Sequence, residues 1–506
     1  MSQRYIEKIL RARVYDVAKE TPLDRANLLS ARLDNQIFLK REDLQPVFSF
    51  KLRGAYNKMV NLTDDVKKQG VIAASAGNHA QGVALAAQKL KIQALIVMPK
   101  TTPPIKVQSV KNIGAKIVLA GDSYDEAYTR SQLIAQEQNL TFIHPFDDAE
   151  VIAGQGTIGM ELLRQHPSPP EAIFVPVGGG GLIAGIGAYI KYVYPQVKII
   201  GVEPEDAPSL HAALNANRRV KLKQVGIFAD GVAVKQVGKE TFRLARKVVD
   251  EVVLVTTDEI CAAIKAIYDD TRTTAEPAGA LSVAGMKRYI KREGVTGKQL
   301  IAINSGANIN FDRLRHVAER AEFGEHREAL FAVQIPEQPG SFLKFCKLIG
   351  KRSITEFNYR YSDARQAQIF VGIELSNGDE EKKVLFQRFV DKGYSIVDMT
   401  DNETAKLHIR YMVGGHAQGL ECESLIRFEF PERPGALLYF LGHLGKEWNI
   451  SLFHYRNHGA AYGRVLMGIQ VSNADRSTLH KRLKKLDYPF LDETENPAYS
   501  LFAGII

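Results

Sequence analysis

Two hydrophobic patterns divide this chain. Up to about residue 320, short apolar runs rich in β-branched residues recur at 95–98, 117–119, 173–175, 199–202, 252–255 and 300–303. Many are bounded by Gly, Pro or a charged residue, and the segments between them are mostly long enough for a crossover helix. One helix start is explicit: Thr256 and Glu259 have capping-box spacing, and Ile260, Ala263, Ile264 and Ile267 follow at helical intervals. This alternation predicts an α/β domain around a largely parallel sheet, with ligands beyond the carboxyl ends of its strands.

Past residue 325 the pattern becomes a repeat. An apolar strand leads into Pro336-Glu337-Gln338-Pro339-Gly340 in one copy and Pro431-Glu432-Arg433-Pro434-Gly435 in the other. Each is followed by a helical pattern, a strand (354–360 and 450–456) and a further apolar strand (369–373 and 465–469). Two βαββ copies predict a pair of ferredoxin-like α+β modules. The charged stretch Glu322, Glu325, His326, Arg327 and Glu328 reads as a solvated connector. The expected division is residues 1–325, 326–420 and 421–506, in line with about three domains for 506 residues.

Composition removes several function classes. Apolar residues make up 45% and charged residues 24%, ordinary for globular protein. The net charge of +9 comes with 57 acidic residues interspersed among the basic ones and no basic stripe with interleaved aromatics, which argues against nucleic-acid binding. The 3 cysteines, Cys261, Cys346 and Cys422, form no CxxC and suit a reducing compartment. The first residues have neither a signal peptide's apolar core nor a transit peptide's composition, so a cytoplasmic protein is expected. The uncharged stretch 172–190 is long enough for a membrane span, but Pro176 and four successive glycines make it strand, loop and helix instead. No cluster has metal-ligand spacing.

Four turns remain that bulk composition does not explain: Ser49-Phe50-Lys51-Leu52-Arg53-Gly54, Ser75-Ala76-Gly77-Asn78-His79, Gly178-Gly179-Gly180-Gly181-Leu182 and Ser305-Gly306-Ala307-Asn308. Together they suit pyridoxal 5'-phosphate, whose aldehyde, phosphate, phenolic oxygen and pyridine nitrogen each need a partner. Lys51 is the amine for the aldehyde, and Phe50 would pack on the ring. The glycines before a helix offer converging N–H groups and a positive dipole end to the phosphate. N–H groups of Ser75, Ala76 and Gly77 would grip a substrate carboxylate, and the Asn78 amide would meet the phenolic oxygen. Ser305, a neutral partner for the pyridine nitrogen, would leave it unprotonated, which favours elimination over transamination. Plainer roles stand beside these: a surface lysine, a turn serine, and for His79 a structural place at a helix end. A rival also stands, because Gly179-x-Gly181-x-x-Ala184 with Glu203 about 20 residues on fits a dinucleotide fingerprint and a nicotinamide-dependent oxidoreductase. That reading gives no role to Lys51 or Asn78.

These turns, with Ala80-Gln81-Gly82 and Ala275-Glu276-Pro277-Ala278-Gly279-Ala280, resemble the biosynthetic threonine dehydratases. That family belongs to the tryptophan-synthase-β-like, fold type II class of pyridoxal-phosphate enzymes, and its two C-terminal modules are ACT-like. The resemblance covers essentially the whole chain. It implies conversion of L-threonine, with L-serine as the alternative hydroxy amino acid, to a keto acid (2-oxobutanoate from threonine) and ammonia, the first step toward isoleucine. It implies Lys51 as both cofactor lysine and α-proton base, and Asn78, Gly178 through Gly181, Leu182 and Ser305 as cofactor-binding residues. It further implies a homotetramer inhibited by isoleucine and relieved by valine. Related serine racemases carry a second serine where this chain has Ala76, and catabolic dehydratases lack the paired modules, so neither fits as well. Tyr359 and Tyr455 occupy equivalent places in the two repeats and are expected to line effector pockets; core tyrosines, in modules that merely pack, are the alternative.

Overall fold

The structure, a computed structural model, describes residues 3–496 apart from 122, 167, 227, 312, 361–365, 403–404, 407–421, 432–435, 445–446, 457–461, 473, 486–487 and 489. It divides into two units, Met1–Gly324 and Glu325–Ile506.

The first unit holds two sheets where the sequence suggested one. The larger runs Leu23–Arg25, Gln36–Arg41, Gln299–Asn304, Ala172–Pro176, Lys198–Pro204 and Glu251–Val255. Every pair is parallel except the first. The smaller, all parallel, runs Lys116–Leu119, Ala94–Met98, Val71–Ala74 and Thr141–Phe142. Each apolar run named above falls in one of these strands; the inner strands, buried on both faces, need unbroken apolar sequence, whereas the edge strands Lys116–Leu119 and Glu251–Val255 are only partly buried. Helices cover both faces of the larger sheet. Pro277–Glu293 and Thr257–Thr271 pack on one, and Ala149–Gln165 and Gly181–Val193 on the other. The capping box forms at Thr256 and Glu259, and Ile260, Ala263, Ile264 and Ile267 are all buried behind it.

The connector is shorter and less solvated than its charge suggests. Helix Arg313–Gly324 runs almost up to strand Glu328–Pro336, and Glu328 is buried. In the second unit each repeat completes a βαββαβ module. The first is Glu328–Pro336, Ser341–Ile349, Ile354–Arg360, Gln366–Glu374, Gly378–Asp391 and Ser395–Asp398. The second is Glu423–Pro431, Ala436–Leu444, Asn449–Arg456, Tyr462–Gln470, Arg476–Lys485 and Phe490–Asp492. The Pro-Gly turn at 434–435 and the expected boundary at 420/421 lie outside the described residues.

The two modules share one eight-stranded sheet. Ile354–Arg360 and Asn449–Arg456 meet antiparallel, with Asn358 opposite its own counterpart His454. The repeats are therefore related by a local two-fold through that pair. Each joining strand carries an irregularity at the same place, Thr355 and Ser451. There the hydroxyl donates to a buried glutamate of the module's first strand, Glu328 or Glu423. Gly372 and Gly468 leave room for those carboxylates: a Cβ would fall 2.9 and 2.5 Å from them.

Candidate active site

Lys51 is the first residue of helix Lys51–Val60. Glycines let two other helices close on it. A Cβ on Gly82, in helix Asn78–Leu90, would lie 3.0 Å from Leu52 N. One on Gly154, in helix Ala149–Gln165, would lie 2.7 Å from Arg53 O. Two residues past Lys51, the fully buried Arg53 donates to both Glu42 carboxylate oxygens at 2.8 Å and to those of Glu161 at 2.5 and 3.0 Å. Lys40 Nζ adds a contact of 2.6 Å to Glu161. Two cations thus balance two carboxylates out of water, and the cluster anchors the helix start beside Lys51.

The Lys51 amine has no hydrogen-bond partner among the described residues and lies 5.2 Å from the Phe50 ring centroid. Burial lowers its pKa to about 8, against the opposing pull of the Glu276 carboxylate. A useful fraction is therefore neutral near pH 7, which an ordinary lysine cannot offer. Phe50 itself sits in the apolar cluster with Val175, Leu182 and Ile303.

Ser305 comes to the same place through the backbone. Phe50 N donates to Ser305 O at 3.3 Å, and Ser49 pairs with Gly306. The Ser305 hydroxyl makes only a long contact, 3.4 Å, to Ala278 O. Beside it, Ser49 Oγ and both polar side-chain atoms of Asn304 are buried with no partner.

Asn78 is held at both ends. Its oxygen accepts from Asn308 Nδ2 at 2.7 Å, and its nitrogen donates to Glu276 at 2.6 Å, leaving the second amide N–H. Glu276 lies in a motif quoted above but received no role from the sequence. Burial, with the Asp230 charge adding to it, raises its carboxyl to about 7. Among the donors expected to grip a carboxylate, Ser75 N is taken by Val97 O at 3.1 Å and Gly77 N by Ser75 Oγ at 3.2 Å. The Ala76 N–H and the Ser75 hydroxyl remain. A Cβ on Gly77 would meet nothing within 4 Å, so the protein itself leaves space there.

The glycine loop joins strand Ala172–Pro176 to helix Gly181–Val193. The N–H groups of Gly178, Gly179 and Gly180 find no acceptor among the described residues, although Gly179 and Gly180 are buried. Unpaired buried donors at a helix start form an anion cradle. Neighbours explain two of the glycines independently. A Cβ on Gly179 would enter the Phe146 ring at 2.2 Å, and Gly180 has φ +90. Leu182, in the first turn of the helix, is buried against the same cluster as Phe50.

His79 and Glu203 have structural work. His79 Nε2 lies 2.9 Å from Ile143 O, and burial, with the Lys51 charge second, lowers it to about 3, so it stays neutral. The Glu203 carboxylate is fully buried and accepts from Leu210 N at 2.8 Å and His211 N at 2.9 Å, where helix Ser209–Asn215 begins. No sugar hydroxyl can reach it, which removes the dinucleotide reading. In the second unit, Tyr359 lines a cleft, whereas Tyr455 packs in the core opposite Phe357 and is not on that cleft.

Comparison with known proteins agrees with this chemistry. Residues 14–306 match the model of the pyridoxal-phosphate dependent enzymes. Residues 319–409 and 414–503 match the C-terminal regulatory domain of threonine dehydratase. A biosynthetic L-threonine dehydratase of Burkholderia multivorans is 55% identical over 99% of both chains. One of Escherichia coli is 54% identical over 98% of this chain and 96% of its own. Among solved structures, the processed form of threonine deaminase isoform 2 from Solanum lycopersicum superposes with a TM-score of 0.62. It is 50% identical, covering 63% of this chain and 92% of that one.

Proposed function

Because the chain belongs to the biosynthetic threonine dehydratases, a family of pyridoxal-phosphate-dependent enzymes, we propose that it converts L-threonine to 2-oxobutanoate and ammonia in isoleucine biosynthesis. The observation that carries this is the convergence of a partly buried amine of lowered pKa, Lys51, with Asn78 and Ser305. The residues fit the cofactor: the unpaired N–H groups of Gly178, Gly179 and Gly180 suit a phosphate, and Ser305 has only a long contact to give up. Pyridoxal phosphate, when bound, supplies the electron withdrawal that acidifies the substrate Cα–H bond.

The chain's own residues do the rest. Lys51 would hold the cofactor through its aldehyde and, as a neutral amine, would take the α-proton from the substrate. The Asn78 amide, fixed by Asn308 and Glu276, orients the ring through its remaining N–H. Ser75 and Ala76 present donors to the substrate carboxylate. Loss of the α-proton and the β-hydroxyl leaves an enamine product, whose hydrolysis releases keto acid and ammonia. Release of 2-oxobutanoate from threonine, assayed with and without isoleucine, tests the proposal. Turnover of neither threonine nor serine would end it.

Two further outcomes are expected. Cofactor capture by the apoprotein should speed up as pH rises toward about 8 and level off above it, because only the neutral Lys51 amine attacks. The Glu276→Gln variant should move that midpoint to lower pH, since the Glu276 charge raises the Lys51 pKa. Stopped-flow absorbance reads both. Gly179→Ala should weaken cofactor retention on dialysis by ~10-fold or more, because the added methyl meets Phe146 and displaces the loop.

Regulation belongs to the second unit. Isoleucine as inhibitor and valine as its antagonist follow from the family, with Tyr359 and Tyr455 as the pocket tyrosines. Of the two, Tyr359 has the better support, because it reaches a cleft. A homotetramer in the cytoplasm completes the proposal. Among the described residues no helix is long and apolar enough to cross a membrane. The sequence division at 325 and 420 is kept as the domain plan.

A further inference from the structure

We infer that Glu337 receives the ammonium group of a small aliphatic α-amino acid, in a cleft built jointly by the two repeats. This rests on the regulatory reading above and gives it a site. Glu337, Tyr359 and Phe342 come from the first repeat, and Leu441, Trp448 and Asn449 from the second, so neither copy forms the cleft alone.

The chemistry of the lining selects the ligand. The Glu337 carboxylate accepts from Tyr359 OH at 2.8 and 2.6 Å and from Asn449 Nδ2 at 2.8 Å. Both partners are neutral, and Glu337 has no ion-pair partner among the described residues. Burial accordingly raises its pKa. A half-buried carboxylate held by neutral donors and without a cation is a receptor for one. Beside Gln338 and Ser341 the lining carries apolar surface, and Phe342, Leu343, Leu441 and Leu444 would bury an aliphatic side chain. Helix Ser341–Ile349 begins on the same cleft after Gly340, at φ +85, so its first turn faces the carboxylate of a ligand whose ammonium sits on Glu337. Ammonium, carboxylate and branched aliphatic group together describe an amino acid such as isoleucine or valine.

The cleft contains its own reporter, because Trp448 is the chain's only tryptophan. L-isoleucine, L-valine and N-acetyl-L-isoleucine are titrated against Trp448 emission of the full-length holoenzyme, with calorimetry in parallel and threonine turnover read at each point. The free amino acids should shift the emission saturably. N-acetyl-L-isoleucine, which lacks the ammonium, should bind ~30-fold more weakly or worse, and Glu337→Gln should weaken isoleucine to a similar degree while keeping the wild-type thermal transition. Equal binding of isoleucine and its N-acetyl derivative would overturn the role of Glu337, as would unchanged isoleucine binding by a folded Glu337→Gln; either leaves the regulatory reading intact. Inhibition by isoleucine without an emission change would place the site elsewhere. Turnover indifferent to all aliphatic amino acids would sink the regulatory reading itself, and this site with it.

Discussion

Replacing Lys51 with arginine is expected to abolish 2-oxobutanoate formation from threonine, by ~10⁴-fold or more. Arginine stays protonated in proteins, so it can neither capture an aldehyde nor accept an α-proton. The native amine does both because burial has brought it to about 8. The helices packed at Gly82 and Gly154 hold the start of helix Lys51–Val60 in place. Borohydride treatment provides a readout independent of turnover. It should fix cofactor to a peptide containing residue 51 in the native protein and to none in the Lys51→Arg variant. Retained turnover, or a label at another lysine, would refute the assignment.

The second large effect is expected at Arg53, through stability. Arg53→Met removes one cation from a buried group of four and leaves Glu42 and Glu161 with only Lys40 between them. Breaking such a group typically costs ~3–5 kcal/mol, because a charge stays buried without its partner. Urea unfolding at neutral pH should show the loss. Its pH dependence has a definite sign. Burial alone would raise the Glu42 pKa, but Arg53, with Lys40 and the Thr21 hydroxyl, outweighs burial and holds that carboxyl below its ordinary range. The native contribution is therefore present above the unfolded carboxylate pKa and is lost as pH falls through the lower folded value. Without Arg53 the largest force opposing burial is gone, so the Glu42 pKa rises and acid relieves the stranded carboxylate. The gap between native and variant proteins should narrow toward pH 4. A gap that widens on acidification would contradict this account of the cluster.

Much of this architecture can be read from residue order because it is local. Strands such as Lys198–Pro204 show as unbroken apolar runs, the start of helix Thr257–Thr271 is written in Thr256 and Glu259, and the turns at Lys51, Asn78, Gly178 and Ser305 each announce themselves by composition. What escapes is assembled over long sequence separations. Glu276 reaches Asn78 across 198 positions and Asn308 reaches it across 230, and no local pattern marks either contact. Arg53 is a routine helix residue until Glu161 arrives from 108 positions away. Glu203 shows the reverse problem. Its spacing from the glycines invites a sugar-binding role, and only the helix it caps reveals that the carboxylate is occupied. The repeats were legible as βαββ units, but the closing strands Ser395–Asp398 and Phe490–Asp492 are too short to stand out.

Those same short strands decide how the second unit keeps to itself. Among the described residues its long strands all lie inside the shared sheet, and the two outermost are stubs of 4 and 3 residues. A rim that short offers little for a stray chain to zip onto. A polypeptide ending after the first repeat would instead leave all 7 residues of Ile354–Arg360 as a raw, sticky margin. By lying against that margin, the duplicate copy acts as a built-in guard against clumping.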